Sequence, residues 1–291
     1  MRKAFETMSP IENVAVVGAT GSIGRRALPA LLDANFTVTD VMYTSEGKSC
    51  PPQVRVAVTD FSPESLQGVF TGQDAVRCDL RHAVFDRQID VINAAAKSGV
   101  KRLIPSDIGT SKGPIDVPEY RAILGKKAQA QNLLEEMAKE KSAFTWTSFW
   151  NGPLLDRSMA LFPDFGFDLK NHSATIYDSG NELFTAMSIG KTGKPIAAVF
   201  KHPEETKNRY VRLSAPTTSQ RAILAVLERL TNTEWDTATV STQEARRQGK
   251  IKVQNGDYKG ALQRGTTKGH MLVFSWLSFV RMEPADLSWT E

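Results

Sequence analysis

The chain has 291 residues, 41% of them hydrophobic and 23% charged, and it carries a formal net charge of +4. A chain of this size can bury a large core, so we expect a soluble globular protein with one large α/β unit or two modest domains. Its 36 basic and 32 acidic residues are spread without a Lys/Arg block, which argues against a nucleic-acid partner but suits a phosphate-bearing ligand.

The two cysteines, Cys50 and Cys78, suggest no disulfide framework, so ordinary thiols in a reducing compartment are expected. The N-terminal stretch MRKAFETMSPIEN lacks the apolar run of a signal peptide. No segment approaches the roughly 20 apolar residues of a membrane span. We therefore expect a cytoplasmic protein without a membrane partner, either a monomer or a homodimer.

The first predicted strand is the apolar run NVAVVGA, which ends at a glycine turn. The next segment, IGRRALPALLDA, places its apolar residues on one helical face. Further along come the strands FTVTDVMY and VRVAVTDF, the helix PESLQGVF, the run DAVRCDL, the helix DRQIDVINAAAKSG and the strand VKRLIPSDIG. This alternation predicts parallel strands joined by helices.

Repeated strand–helix–strand units imply an α/β fold with a Rossmann-type doubly wound parallel sheet. After the segment FTWTSFWNG the pattern loosens into short strands, turns and one helix. We predict a dinucleotide-binding domain over residues 1–150 and a smaller α/β substrate-binding domain over residues 151–291, with some later segments able to return to the Rossmann sheet.

The turn after the first strand contains the spacing G-x-x-G-x-x-G at Gly18, Gly21 and Gly24. Glycines allow the backbone to approach a pyrophosphate, and the helix N-terminus offers free N–H groups and partial positive charge. A purely structural strand–helix turn is the alternative, which the strand before and the helix after make less favourable. The predicted cofactor-binding residues here are Gly18, Thr20, Gly21, Ser22, Ile23, Gly24 and Arg25.

The tip of the second strand is expected beside the adenosine ribose, where an acidic residue favours NAD and a cation favours NADP. The tip has the sequence YTSEGK over residues 43–48. Lys48 and Arg25 are the nearby candidate cations, whereas Glu46 argues for NAD. Together these residues weakly favour NADP(H) over NAD.

Six stretches in order resemble the NmrA-like, isoflavone-reductase-like family of atypical short-chain dehydrogenases. They are GATGSIGRR, SPESLQGVFTGQDAV, AAAKSGVKRLIPSDIG, KKAQAQNLLEE, ATIYDSGN and SIGKTGKPIAAVFKHPEETKNRYVRLS. Together they cover most of residues 12–230. The resemblance implies NADPH at the glycine turn and an aromatic or polycyclic small molecule as substrate.

The family's reductases use a helical lysine as general acid/base, and the resemblance places that lysine at Lys127. The match is partial, because Gln131 and Asn132 occupy positions where the family usually has a basic pair. A partly desolvated lysine near a cofactor can exchange a proton with a phenol-type oxygen. A solvated surface lysine is the alternative.

The chain departs from the family at two places. Tyr43 stands where the family usually has an arginine that binds the 2′-phosphate. Lys48 remains at the family's second cation position. Tyr43 either stacks on adenine or is an ordinary residue at the strand end. The segment AVRCDLRHAVFDRQ brings Arg77, Asp79 and, beyond them, Arg81 and His82 to the expected nicotinamide region. Either they form a rebuilt active site in which Asp79 or His82 handles protons, or they form a solvated loop with local ion pairs.

The substrate pocket is predicted from the aromatic segment FTWTSFWNG. Trp150 and Asn151, at the strand end, are the candidate substrate-binding residues, whereas the alternation around Trp146 is typical of a buried strand. No His/Cys/Asp group has metal-ligand spacing, so no metal is expected.

Three functions follow from these residues. The first is an NADPH-dependent reductase of an aromatic or conjugated small molecule in specialised metabolism, with Lys127 as proton donor. The second is a redox-neutral isomerase, for example one that opens an epoxide by acid catalysis, which the charges at Arg77 and Asp79 and the replacement at Tyr43 motivate. The third is a non-catalytic regulator that senses the cofactor.

Overall fold

The structure is a computed structural model that describes residues 9–46, 49–80, 84–109, 118–161, 166–213 and 216–255. Strands and helices alternate through its first half, as the sequence pattern predicts. In chain order these elements are β1 Asn13–Val17, α1 Gly24–Asp33, β2 Thr37–Met42, β3 Arg55–Val58, α2 Pro63–Phe70, β4 Ala75–Cys78, α3 Arg87–Lys97, β5 Arg102–Ile104, β6 Ile108–Gly109, α4 Pro118–Glu140 and β7 Thr145–Trp150.

The second half has shorter strands. Its elements are α5 Leu155–Leu161, β8 Phe167–Asp168, β9 Ser173–Tyr177, β10 Phe184–Thr185, α6 Gly193–Lys201, α7 Pro203–Thr206, β11 Arg209–Arg212, β12 Thr217–Thr218, α8 Gln220–Thr231, β13 Asp236–Val240 and α9 Thr242–Gln254, with a short 3-10 turn at Ile189–Lys191 before α6.

The main sheet has the strand order β11-β7-β5-β4-β1-β2-β3, and β6 also pairs with β7. The pairs from β3 through β7 are parallel; for example, Val17 pairs with Val41 of β2 on one side and with Cys78 of β4 on the other. The strand order reverses between β1 and β4. In a doubly wound sheet, ligands bind at the carboxyl ends of the strands at this reversal, so the topology confirms the predicted Rossmann-type sheet and places its binding edge after β1 and β4.

Local sequence signals explain where the helices around this sheet begin and end. Ser62 caps α2 by accepting a hydrogen bond from the Ser65 amide, and Pro63 occupies the first helical position. Gly99, just past α3, has a φ of +79°, the left-handed conformation that glycine provides at a helix end. These signals fix the helices that cover the sheet.

One apolar core lies between the sheet and its helices. It is built from fully buried side chains on the strands and on α2, α3 and α4, among them Val17, Val41, Phe70, Val76, Ile92, Leu103, Leu134 and Trp146. Trp146 is 5% exposed and packs edge-to-face on Tyr210 with ring centroids 5.7 Å apart, which confirms its expected place in the core.

The buried side chain of Arg102 connects the 203–206 helix to the sheet. Its guanidinium donates to the hydroxyls of Thr145, Thr147 and Thr206 at 2.8–3.0 Å and to the carbonyl of Pro203. Burial lowers the pKa of Arg102 to about 10. The four acceptors compensate for removing this charge from water, and they hold the segment before β11 against the sheet.

The chain divides into two compact units. The first takes in the described parts of Met1–Ile115, Leu124–Trp150 and Ile189–Val211, and the second those of Asp116–Ile123, Asn151–Ser188 and Arg212–Glu291. In the second unit β9 pairs in parallel with β13 and antiparallel with β8, over a separate core that includes Phe167, Ile176, Phe184, Leu224 and Trp235. None of the described helices is both long and apolar enough to cross a bilayer.

Candidate active site

The glycine turn after β1 is closely packed. Gly18 has a φ of +87°, and its carbonyl oxygen accepts a hydrogen bond from the Gly21 amide at 2.9 Å. A Cβ on Gly24 would lie 2.4 Å from the Gly18 oxygen and 2.6 Å from the Ala19 Cα. These contacts involve backbone that cannot move independently, so Gly24 allows α1 to start directly against the turn.

The N-terminus of α1 lacks groups that would neutralise it. Its first turn has no acidic residue, and the N-cap residue, Ile23, makes no side-chain capping bond. Backbone N–H groups at such an end attract anions, and the helix dipole adds partial positive charge. This end can therefore hold a pyrophosphate, and the predicted residues Thr20, Gly21 and Ser22 lie immediately before it.

Replacing Gly24 with alanine is expected to disturb this turn. The methyl group would meet the backbone at sub-van der Waals distance, and such overpacking costs about 1–3 kcal/mol. The strained turn should hold its N–H groups less accurately, so we expect the affinity for the dinucleotide that the glycine spacing predicts to fall by about 10-fold, equivalent to about 1.4 kcal/mol of binding free energy. Titration of nicotinamide fluorescence measures this change.

Gly68 provides the matched control, because a Cβ at this position in α2 would meet nothing within 4 Å. Gly68→Ala should stabilise the fold by about 0.5–1 kcal/mol, the usual gain at a helix interior, and leave dinucleotide affinity unchanged. Equal binding by the two variants would show that the close packing of Gly24 does not matter for the ligand.

The segment after β4 contacts the glycine turn. A Cβ on Gly18 would lie 2.7 Å from the carbonyl oxygen of Asp79 and 3.7 Å from its Cβ. The Asp79 side chain forms an ion pair with Arg77, which also donates to the Pro105 carbonyl at 2.8 Å. Arg77 is fully buried and the Asp79 side chain is 3% exposed. The two charges therefore form a buried pair beside the turn and are not a solvated loop.

The electrostatics of this pair follow from its burial. Desolvation raises the pKa of Asp79, and the Arg77 guanidinium acts in the opposite direction. Among the described residues, no group hydrogen-bonds to the second carboxylate oxygen of Asp79, Oδ2, or to the Nε of Arg77. A polar group of a ligand at the turn could hydrogen-bond to these two atoms.

Lys127 lies on α4 with its side chain 19% exposed, and its Nζ is 3.4 Å from Oδ1 of Asp107. The ammonium also lies 5.9 Å from the centroid of the Phe85 ring, within the range of a cation–π contact. Its neighbour Lys126 pairs with Asp86 at 2.6 Å on a more exposed surface. The two lysines therefore have different partners, as the 100° helical rotation between them requires.

Asp107 is a site residue that sequence reasoning missed. It is buried three residues after Ile104, the last residue of β5. Burial raises its pKa, while Lys127, Tyr210 and Arg77 act to lower it. The signal that could have found it is its position in IPSDIG, since polar residues at the carboxyl ends of parallel strands face the binding edge.

The remaining cofactor candidates are exposed wherever the structure describes them. Tyr43 follows β2 and is 71% exposed, so its ring is free of core packing. Thr20 and Arg25 are also exposed. Lys48, Arg81 and His82, named from the sequence, lie outside the described residues, so the sequence predictions for them stand as they are.

The two candidate substrate residues have different environments. Trp150 ends β7, pairs in register with Gly109 of β6 and is partly exposed. Asn151 is 1% exposed and donates through Nδ2 to the Gly152 carbonyl at 3.0 Å, while its Oδ1 is buried without a hydrogen-bond partner in the part of the chain that the structure describes.

Gln131, at the first position of the family's basic pair, has a structural contact. Its Oε1 accepts from the Ser148 hydroxyl at 2.8 Å, which joins α4 to β7. Its Nε2 donates to Glu135 at 3.2 Å. In the described ranges no group of three or more His, Cys, Asp or Glu side chains could hold a metal ion.

Comparison with known proteins places these features in context. The model of the NmrA-like family matches residues 10–256. The curated protein "Oxidoreductase poxI" of Penicillium oxalicum is 34% identical over 238 residues, which are 82% of this chain and 76% of that protein.

Solved structures share the fold at lower identity. The structure of an isoflavone reductase superposes with a TM-score of 0.71 at 17% identity and covers 95% of this chain and 91% of its own. The structure "AtPrR2 with NADP+ and (+)pinoresinol" gives a TM-score of 0.70 at 19% identity, covering 96% of this chain and 92% of its own. Both confirm the Rossmann-type fold.

Proposed function

The chain belongs to the NmrA-like family, and from this premise we propose that it is an NADPH-dependent reductase of an aromatic or conjugated small molecule in specialised metabolism. The observation that carries the proposal is the uncapped, acid-free start of α1 after the closely packed glycine turn, at the reversal of the sheet. The oxidoreductase name of a relative that is 34% identical supports the reaction class.

The dinucleotide fits this end of the sheet. Gly18, Gly21 and Gly24 allow the turn to pack closely against α1 and the segment after β4, and the backbone N–H groups of Ser22 and Ile23 would face the negative charge of the pyrophosphate. Arg25, which is exposed, and Lys48, which is named from the sequence alone, are the proposed cations for a 2′-phosphate, and Tyr43 offers an exposed ring for adenine. NADPH, when bound, supplies the hydride.

Lys127 supplies the proton in this proposal. Its protonated Nζ gives a proton to the substrate oxygen on which negative charge develops, and its partly exposed side chain then recovers a proton from solvent. Trp150 and Asn151, consecutive at the end of β7, are proposed to contact the substrate. An NADP⁺-bound neighbour of the same fold that holds pinoresinol supports an aromatic ligand.

A redox-neutral isomerase is the second candidate. The observation in its favour is the buried Arg77–Asp79 pair beside Gly18, where burial raises the pKa of Asp79. A carboxyl group of this kind can hold a proton and donate it to an epoxide or ether oxygen.

The experiment that separates the two candidates measures cofactor consumption. The protein is incubated with NADPH and a panel of phenolic and conjugated compounds that includes pinoresinol, and NADPH loss is compared with product formed. The reductase proposal expects equal amounts of the two, with label from deuterated NADPH in the product. Product formation without NADPH loss would instead establish the redox-neutral reaction.

A further inference from the structure

The ion pair between Lys127 and Asp107 is more buried than the ion pairs on the protein surface. The Asp107 side chain is 7% exposed, and the Nζ to Oδ1 distance is 3.4 Å. Most exposed ion pairs contribute little, because water screens both charges. A buried carboxylate facing a partly buried ammonium is screened much less, so each charge has a large effect on the other.

The backbone around Asp107 is held by contacts to two other elements. The Ser106 hydroxyl accepts from the Leu80 amide at 2.7 Å, and the Ser106 amide donates to Oε1 of the buried Gln88 at 2.5 Å. The Pro105 carbonyl accepts from Arg77. These bonds fix the backbone immediately before Asp107 at the edge of the sheet.

Other charged or titratable groups act on Asp107 from the strands packed beside it. Arg77 on β4 and Tyr210 on β11 both lower its pKa, as Lys127 does, against the effect of burial. The charge of Arg77 is already balanced by its own partner, Asp79. Within the described ranges, Lys127 is the cation near Asp107 that forms no ion pair with another carboxylate.

We propose that Asp107 is the positioning residue for Lys127: its buried carboxylate holds the ammonium in place at the binding edge of the sheet. This inference rests on the proposed function, because Lys127 is the proton donor of that reaction. A proton donor must remain in one place relative to the group that it protonates. Asp107 provides this fixed position.

The pair is tested by following Lys127 directly. The lysines of the whole protein are dimethylated with isotope-labelled formaldehyde, and the methyl signal of Lys127 is assigned by comparison with Lys127→Arg. In Asp107→Asn the two N-methyl signals of Lys127, which differ while the ammonium is held in one place, should move towards the single position of a freely rotating side chain. Asp107→Glu, which keeps the charge, should restore most of the native separation of the two signals.

Lys126 and Asp86 form the matched control pair, with side chains 46% and 70% exposed. Asp86→Asn should leave the Lys127 signal in place. If Asp107→Asn does not fold, Lys127→Met gives the reciprocal measurement, in which the labelled carboxyl of Asp107 should titrate at higher pH. An unchanged Lys127 signal in Asp107→Asn, or an unchanged Asp107 signal in Lys127→Met, overturns the proposal.

Turnover separates failure of this inference from failure of the proposed function. With pinoresinol and NADPH as probes, Asp107→Asn should lower kcat about 10-fold or more with little change in KM, and should add nothing to Lys127→Ala. Full turnover by Lys127→Ala would reject Lys127 as the donor. Loss of turnover in Lys127→Ala together with native turnover in Asp107→Asn would reject only the positioning role.

Discussion

Replacing Lys127 with alanine is expected to lower turnover by about 10²–10⁴-fold, the contribution of a positioned general acid. The variant removes the Nζ that faces Asp107 and the Phe85 ring. The variant also leaves the buried Asp107 carboxylate without this cation, so a lower thermal stability is expected together with the loss of turnover. Steady-state NADPH oxidation and thermal unfolding, measured on the same preparation, test both parts of the expectation.

Lys126→Ala is the control for this experiment, because it removes an equal charge one residue away whose partner is the exposed Asp86. It should retain native turnover. Affinity for NADPH should stay the same in both variants, since neither side chain belongs to the glycine turn. A Lys127→Ala protein as active as Lys126→Ala would remove Lys127 from the mechanism.

Replacing Asp79 with leucine is expected to lower the free energy of unfolding by about 3–5 kcal/mol, because it leaves the Arg77 guanidinium buried and unpaired. The double variant Arg77→Met, Asp79→Leu removes both charges and should recover native stability or exceed it. Denaturant unfolding of the single and double variants measures the difference.

The pH dependence of this comparison has a definite sign. The folded-state pKa of Asp79 is raised, so its charge costs stability above that pKa, and the cost disappears as the pH falls towards the unfolded-state value. The free energy of unfolding of the double variant should therefore exceed that of the native protein by more at neutral pH than in acid. Asp90→Ala, which breaks the exposed pair with Arg87, should change stability by less than about 1 kcal/mol. Equal losses from Asp79→Leu and Asp90→Ala would contradict a buried pair.

The buried pair also favours a role for Asp79 at the ligand. If Oδ2 of Asp79 hydrogen-bonds to the dinucleotide or the substrate, the double variant Arg77→Met, Asp79→Leu should fold but show weaker dinucleotide binding or slower turnover. This outcome would separate the part of Asp79 in function from its part in stability.

The arrangement of the sheet could be predicted because its signals are local. The apolar run before Gly18, the proline and serine at the start of α2 and the glycine after α3 each specify an element without reference to distant residues. Alternation of the elements then indicates parallel strands joined by right-handed crossovers, whereas the strand order itself comes from the structure.

The charged groups could not be predicted in the same way. A charge run is usually exposed, and only pairing across the sheet shows that Arg77 and Asp79 are buried. Their spacing of two residues at a strand end does put both side chains on one face, which is the available local signal. The contact between Lys127 and Asp107 joins residues 20 positions apart, and no periodicity indicates it.

The central claim is that the glycine turn holds a nicotinamide dinucleotide, and titration of the purified protein tests it most directly. NADPH, NADH and NADP⁺ are each added to the protein. Nicotinamide fluorescence is followed for the two reduced forms, and thermal stability is followed for all three. We predict saturable binding of NADPH, tighter than that of NADH, with NADP⁺ also raising thermal stability. Absence of binding by all three dinucleotides would contradict the account and leave the turn as an architectural feature of the fold.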